Sequence, residues 1–401
     1  MRPALIAALL LLPARTAFSQ NCPAGSAAAL QEDPAEAPRA EELRPAPPGS
    51  IQGQLDDLER QSAIDAAERT RRYWDGQPQD RVVIVGGRRY EARHLAKSLR
   101  VFIELLKTTP DPTTLHRELD KRFDVFEAVE VGGGKEGLIT GYYDPELPLV
   151  SMASPGFAPV YARPSDLVST GLGPPMDWGR RVSGGGFAAH DSRDRIRLGS
   201  LAGQGLELFW TRHASELSIA QTQGTAIGVF PDGRRARLAF DGSNGHPFRA
   251  VGKALMDCGI IPRGTSSSAI RRYLKEQSPE REAELVAVNP RYAFFRDAGA
   301  TTPPTGALGI PLTGGRSIAV DPRHVPLGLP GFLISKKPVA GDDGRIVEIK
   351  PFSRFIFTQD VGSAIRGEVR ADLFLGAGRR ESEEAHHMSY PGRIWVFVLK
   401  S

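Results

Sequence analysis

Apolar residues recur at helical spacing over residues 55–74, where Leu58, Ile64 and Ala67 share one side, and this predicts a helix. Val82-Val83-Ile84-Val85 is a short unbroken apolar run with strand character, and two further helices are expected over 96–107 and 112–130. The triplet Gly132-Gly133-Gly134 then introduces Leu138-Ile139-Thr140-Gly141-Tyr142-Tyr143-Asp144-Pro145. Over 149–263 the apolar runs shorten and are punctuated by Gly and Pro, the pattern of a β-rich unit inserted into another domain. Near its end Phe248, Val251, Leu255 and Cys258 return to helical spacing before Gly259, and Ser266-Ser267-Ser268 caps a helix running to about Glu276. Beyond Tyr292 the strands come close together, at 294–295, 317–320, 331–335, 345–349, 354–358 and 393–399. Without long helices between them they suit a small closed barrel better than an open parallel sheet.

The amino end changes this picture. Met1-Arg2-Pro3 and the apolar run 4–12 are too short to cross a bilayer, and Ala17-Phe18-Ser19 has the small-x-small pattern of a processing site, so 1–19 is expected to be a signal peptide. Ser19-Gln20-Asn21 ahead of Cys22 differs from the box that lipid attachment needs. Residues 20–54 are read as a Pro/Ala-rich disordered tether, because hardly a large apolar residue falls between 23 and 50. The expected division is then 55–148 for the helical part and first barrel strands, 149–263 for the inserted β unit, and 264–401 for the rest of the barrel. A length of 401 residues allows two such domains. A net charge of +4 without a dense Lys/Arg run excludes a nucleic-acid partner. The two cysteines, Cys22 and Cys258, could pair across a long loop in an oxidising compartment.

Candidate chemistry sits between residues 318 and 374. Asp321 follows Ser317-Ile318-Ala319-Val320, Asp360 follows Phe355-Ile356-Phe357-Thr358-Gln359, and Asp372 lies in Val369-Arg370-Ala371-Asp372-Leu373-Phe374. Two of these read as a strand that delivers a carboxyl to the mouth of a glycine-bearing loop, open to substrate on one side and desolvated on the other. The competing reading for Asp360 and Asp321 is a turn-forming Asp, and for Asp372 a solvated strand residue. His386 and His387, beside Glu383 and Glu384, read as a solvated face, and no metal is expected.

The segments Thr140-Gly141-Tyr142-Tyr143-Asp144-Pro145, Gln223-Gly224, Asn244-Gly245-His246-Pro247-Phe248, Asn289-Pro290, Phe294-Phe295-Arg296 and Gly309-Ile310-Pro311-Leu312-Thr313 occur in order before the three aspartates. In this the chain resembles the membrane-bound lytic murein transglycosylase A family. The resemblance implies a mainly β fold with flanking helices: a double-psi β-barrel catalytic domain with a smaller inserted β domain and a glycan groove between them. It implies cleavage of peptidoglycan between N-acetylmuramic acid and N-acetylglucosamine, leaving an anhydro ring. Asp360 would be the acid and then the base, with Asp372 the ionised neighbour that raises its pKa and Asp321 in a more structural role at the barrel mouth. A helix-like start at Gly362 would oppose that rise.

Thr140, Tyr142 and Tyr143 would line the groove, with Gln223, Gly224, Asn244 and His246 facing it from the inserted side. Gly362 would lie beside the acid, and Arg366 would meet either the lactyl carboxylate or the peptide carboxylates of muramic acid. Thr225-Ala226-Ile227-Gly228 replaces the Ser-Gly-Arg that relatives carry after Gln-Gly. The expected partners are glycan strands, with association to the outer membrane or the cell-wall machinery, for an exported, periplasmic monomer without cofactor. Two other readings remain: a non-catalytic glycan-binding barrel, and a hydrolase using the Asp360 and Asp372 pair with water.

Overall fold

A computed structural model describes residues 43–171 and 176–401. Six strands close on one another: β1 (Gly137–Asp144), β2 (Ser317–Val320), β3 (Pro330–Ala340), β4 (Ile346–Asp360), β5 (Ala371–Ala377) and β6 (Ser389–Leu399). The ring order is β6-β3-β4-β2-β5-β1, and β1 returns to β6 with Thr140 opposite Ser389 and Gly137 opposite Gly392. β2 is parallel to β4 and β5 is parallel to β1, while the other contacts are antiparallel. This is the mixed ring of a double-psi barrel, and closure leaves it no free edge.

Inward apolar residues of alternate positions make the core, among them Ile318, Val320, Phe332, Phe355, Phe357, Leu373, Ile394, Val396 and Val398. The helices Arg60–Asp75 and Ala92–Thr108 cover it, and the Phe102 ring meets Phe355 edge-on at 5.4 Å. The strand expected over 354–358 and the one over 345–349 are a single strand, because β3 pairs with β4 along the whole of that length.

Two expectations fail near the amino end. The helix expected over 112–130 stops at Arg122, and Phe123–Ala128 is a strand paired with β6. Burial of Phe123, Val125 and Phe126 against the barrel outweighs the helical propensity of the segment. The expected tether also ends sooner, since Leu43–Pro45 adds a strand to Phe123–Ala128 and Leu43 and Ile51 are only 4% and 0% exposed. Few apolar residues lie here, but these two reach the core. The expected signal peptide and the first part of the tether lie outside the described residues.

The inserted unit builds a sheet in the order Ala293–Asp297, Arg235–Ser243, Thr225–Val229, Glu146–Pro148. Its last strand thus lies well past residue 263, where composition suggested a boundary. Three helices, Val251–Asp257, Ser267–Lys275 and Pro279–Val286, intervene and form their own apolar cluster around Leu255, Leu274, Leu285 and Val288. Ser266 does cap the second of them, accepting from Ala269 N at 3.3 Å. The join between the units is a buried ion pair. Asp144, the last residue of β1, accepts from Arg237 Nη1 at 2.7 and 2.6 Å and from Thr225 Oγ1 at 3.2 Å, so Thr225 has a structural use. Cys258 is disulfide-bonded, while Cys22 lies outside the described residues.

Candidate active site

Strand register brings two of the three aspartates together. Ala319 of β2 pairs with Asp360 of β4 on one side and with Asp372 of β5 on the other. The two backbones are therefore two strand spacings apart, roughly 10 Å, with β2 between them. On the far side of β5, Asp372 is opposite Thr140 and Phe374 is opposite Tyr142. That puts the hydroxyls of β1 within reach of both carboxyls.

Asp360 opens onto a cleft of about 600 Å³ between the barrel and the inserted unit, also lined by Gln223, Gly224, Arg291, Ala307, Gly362 and Arg366. Its Oδ2 accepts from Tyr142 Oη at 2.8 Å, and its Oδ1 accepts from the backbone N of Ala307 and of Val361, each at 2.9 Å. The approach of Ala307 depends on Gly306, where a Cβ would come within 2.5 Å of Gln359 O. Burial pushes the Asp360 carboxyl up, and the three hydrogen bonds, which favour the ionised form, only partly offset it, leaving a pKa of about 6. Among the described residues no Lys or Arg makes an ion pair with it. The helix-like start expected at Gly362 is absent, since 361–370 is a loop of turns. Burial and the Asp360 charge hold the Tyr142 hydroxyl protonated, so it is a permanent donor.

Asp372 accepts from Thr140 Oγ1 at 2.8 Å, and Arg370 Nη2 donates to the same hydroxyl at 2.9 Å. Burial first, and then the nearby Asp360, push Asp372 up to about 6 against Arg370 and Thr140. The cause that raises the Asp360 pKa is its own burial, while Asp372, the ionised neighbour expected from the sequence, is itself raised by burial and by Asp360. Asp321 behaves differently. Burial would raise its pKa, but Arg323 forks onto the carboxyl at 3.0 and 2.7 Å and Gly367 N donates to Oδ2 at 3.1 Å, so the net shift is downward. Held ionised, Asp321 ties the 361–370 loop to the end of β2 and is no proton donor at neutral pH.

The structure distributes the other expected residues unequally. Gln223, Gly224, Gly362 and Arg366 line the cleft. Gly224 ends the helix Ala214–Gln223 in the left-handed region, at φ 74°, which turns Gln223 so that its Oε1 accepts from Tyr143 N at 3.1 Å. Tyr143 faces away from Asp360, with its ring 5.3 Å from His386, so this histidine is packed where a solvated face was expected. Asn244 is wholly buried and His246 Nε2 contacts His190 O at 2.8 Å, so both brace the inserted unit instead of presenting polar groups to the groove. Thr140 and Tyr142 act on the groove through the two carboxyls. Sequence reasoning missed Asp177, Arg193, Arg237 and Arg291 in the cleft wall and gave Arg296 no role beyond its place in the Phe294-Phe295-Arg296 segment, since nothing local distinguishes these from other charged residues.

A family model described as the MltA specific insert domain matches residues 138–296, and one described as the 3D domain matches 316–398, so the two fall on the units that meet at the cleft. The chain belongs to the membrane-bound lytic murein transglycosylase A family. Among named members of that family, the protein of Vibrio cholerae is 28% identical over 354 residues, which is 86% of each chain. That of Escherichia coli K12 is 30% identical over 207 residues, 51% of this chain and 55% of the other. The crystal structure of membrane-bound lytic murein transglycosylase from Agrobacterium tumefaciens superposes with a TM-score of 0.70 at 27% identity, covering 89% of this chain and 98% of that one. The E. coli MltA structure with bound chitohexaose, at 22% identity and a TM-score of 0.66 over 92% of this chain and 98% of that one, shares the fold.

Within this family architecture the Tyr142 bond is a specific test of the site. Tyr142→Phe removes a donor that favours the ionised acid, so the Asp360 pKa should rise further. The alkaline limb of the pH profile should move to higher pH while kcat falls roughly tenfold, the scale of one hydrogen bond to a charged group. An unchanged limb would show that this hydroxyl does not set the titration.

Proposed function

We propose that this lytic murein transglycosylase cleaves the β-1,4 bond between N-acetylmuramic acid and N-acetylglucosamine, with Asp360 as the single acid and then base. The protonated carboxyl gives its hydrogen to the departing glycosidic oxygen as the C1–O bond breaks. The carboxylate then takes the hydrogen of the C6 hydroxyl as that oxygen bonds to C1. Atoms and charge balance without water, and the product ends in 1,6-anhydromuramic acid. The observation that carries this reading is a carboxyl at the cleft with a pKa of about 6 and no cation holding it charged. It can give and regain a proton near neutrality.

A hydrolase would need a second carboxyl facing the cleft to activate water. Asp372 bonds to Thr140 behind the wall and is not among the residues lining the cleft, and Asp321 is held in its arginine fork. Neither supports that role. Asp372 is read instead as a positioning residue, which discourages a negative charge on Asp360. Removal of the leader over 1–19 would release the chain to the periplasm. Relatives are named as membrane-bound, and the reading extends to a place near the outer membrane. Among the described residues no helix is long and apolar enough to cross a membrane.

Digestion of purified sacculi with mass analysis of the products tests the chemistry. Muropeptides short of one water support the reading, and reducing ends would replace it with hydrolysis. The same assay across pH should show kcat/KM falling as pH rises through about 6, where the free enzyme loses the protonated acid. A rate that climbs over that range would assign proton donation to another group.

A further inference from the structure

The inserted side of the cleft holds a surplus of buried positive charge that the proton transfer does not use. Arg193 is 6% exposed and donates only to backbone: Nε to Asn289 O and Arg291 O, both at 3.1 Å, and Nη2 to Arg291 O at 2.6 Å. Its guanidinium lies 5.1 Å from the Tyr292 ring centre, and among the described residues no carboxylate is within ion-pair distance. Two asparagines fix the same turn. Asn244 Oδ1 accepts from Tyr292 N at 2.8 Å and its Nδ2 donates to Pro290 O at 2.8 Å, while Asn289 Oδ1 accepts from Arg291 N at 3.2 Å. This clamp presents Arg291 to the cleft.

The Arg291 side chain is only 11% exposed, and it donates to His246 O at 3.2 Å. Its nearest carboxylate among the described residues is Asp177, at 3.8 Å. Arg366, on the loop after β4, is close enough to act electrostatically on both. Asp177 Oδ1 is buried and, among the described residues, has no hydrogen-bond partner. The buried guanidinium groups of Arg193 and Arg291 outnumber the Asp177 carboxylate, an excess that is costly until an anion joins it, and an unmet buried acceptor is costly until an N–H arrives.

We infer that Arg291, Arg366 and Asp177 form a position that reads the peptide stem carried by muramic acid, the guanidinium groups taking a stem carboxylate and Asp177 Oδ1 taking an amide N–H. Chitohexaose offers acetamido N–H groups but no carboxylate, and a glycan stripped of its stems offers only the lactyl carboxylate, so neither presents a stem carboxylate. The inference rests on the peptidoglycan reading above and names the part of the substrate that the inserted side recognises. It also gives Asn244 and His246 a use, as supports of Arg291 and not as sugar contacts.

Binding in the Asp360→Asn background tests it without turnover, by calorimetry with three ligands: a stem-bearing glycan fragment, the same glycan stripped of its stems, and uncharged chitohexaose. Arg291→Met should weaken the stem-bearing fragment roughly tenfold more than chitohexaose, the scale of one hydrogen bond to a charged group. Arg291→Lys should recover part of the loss, which excludes a general defect in folding. Equal weakening of all three ligands overturns the inference. A loss confined to the stripped glycan also overturns it, assigning the arginines to the lactyl carboxylate. Failure of the peptidoglycan reading is visible separately, as the absence of anhydro products when the unsubstituted protein digests sacculi.

Discussion

Asp360→Asn is expected to end the release of anhydro-muropeptides from sacculi, lowering kcat by roughly a thousandfold or more while KM moves little, since in the proposed mechanism one side chain supplies both proton transfers. The amide keeps an oxygen for the N–H groups of Ala307 and Val361, so the loop geometry survives. Stability should not fall with activity. In the folded chain the Asp360 pKa stands at about 6, above its ordinary value of 3.8, so the folded state holds this proton more tightly than the unfolded chain. Stability from this group is full at pH below about 4 and is lost as pH rises through about 6. At pH 7 the ionised carboxyl therefore burdens the fold, and the neutral amide does not. The thermal midpoint at pH 7 should be equal to the native value or higher. A well-folded variant that kept even a tenth of the native rate would remove Asp360 from the chemistry.

The largest effect on stability is expected from Asp56→Ala, about 3–5 kcal/mol, the cost of leaving a buried charge without its partner. Arg316 has no exposed side-chain surface, and its Nη1 donates to both oxygens of Asp56 at 2.8 Å. It also donates to Phe355 O at 3.0 Å, Glu59 O at 3.0 Å and Ser62 Oγ at 2.9 Å, so it knots the segment before the first helix to β2 and β4. Burial opposes the charge on both partners, raising the Asp56 pKa and lowering that of Arg316. The pair as a whole thus contributes less than its geometry suggests, yet removing one member is severe. Chemical denaturation should show the loss, and pairing Asp56→Asn with Arg316→Met should recover much of it. Strict additivity of the two changes would show that the groups do not act as a unit.

Parts of this molecule were readable in the linear chain because their signals are local. The apolar run 317–320 and the strand ending at Asp360 show alternation or continuity over a few residues, and an Asp at the strand end needs no partner to be noticed. The barrel followed from closely spaced strands without long helices. What escaped depends on distant partners. Phe123–Ala128 looks helical until β6 lies beside it. Residues 43–54 look like spacer until Leu43 and Ile51 meet the core. Asn244 carries the same polar groups whether it faces a sugar or braces a turn, and only the fold reveals that its amide spans Pro290 and Tyr292. Arg291 is one of many arginines in the sequence, and its meaning comes from Arg193, which is far away along the chain.

Because β1 closes onto β6, the opening strand of the barrel is completed by the closing one. A nascent polypeptide therefore carries an unfinished wall until its carboxyl end emerges, even though the inserted sheet, whose strands all fall within 146–297, can assemble earlier. Long-range pairing of this kind is slow to form. Asp360 meets Tyr142 only when these remote segments have joined, so a partly made chain lacks the assembled site of the proposed acid. On the proposed mechanism, wall cutting would therefore begin only with the whole chain.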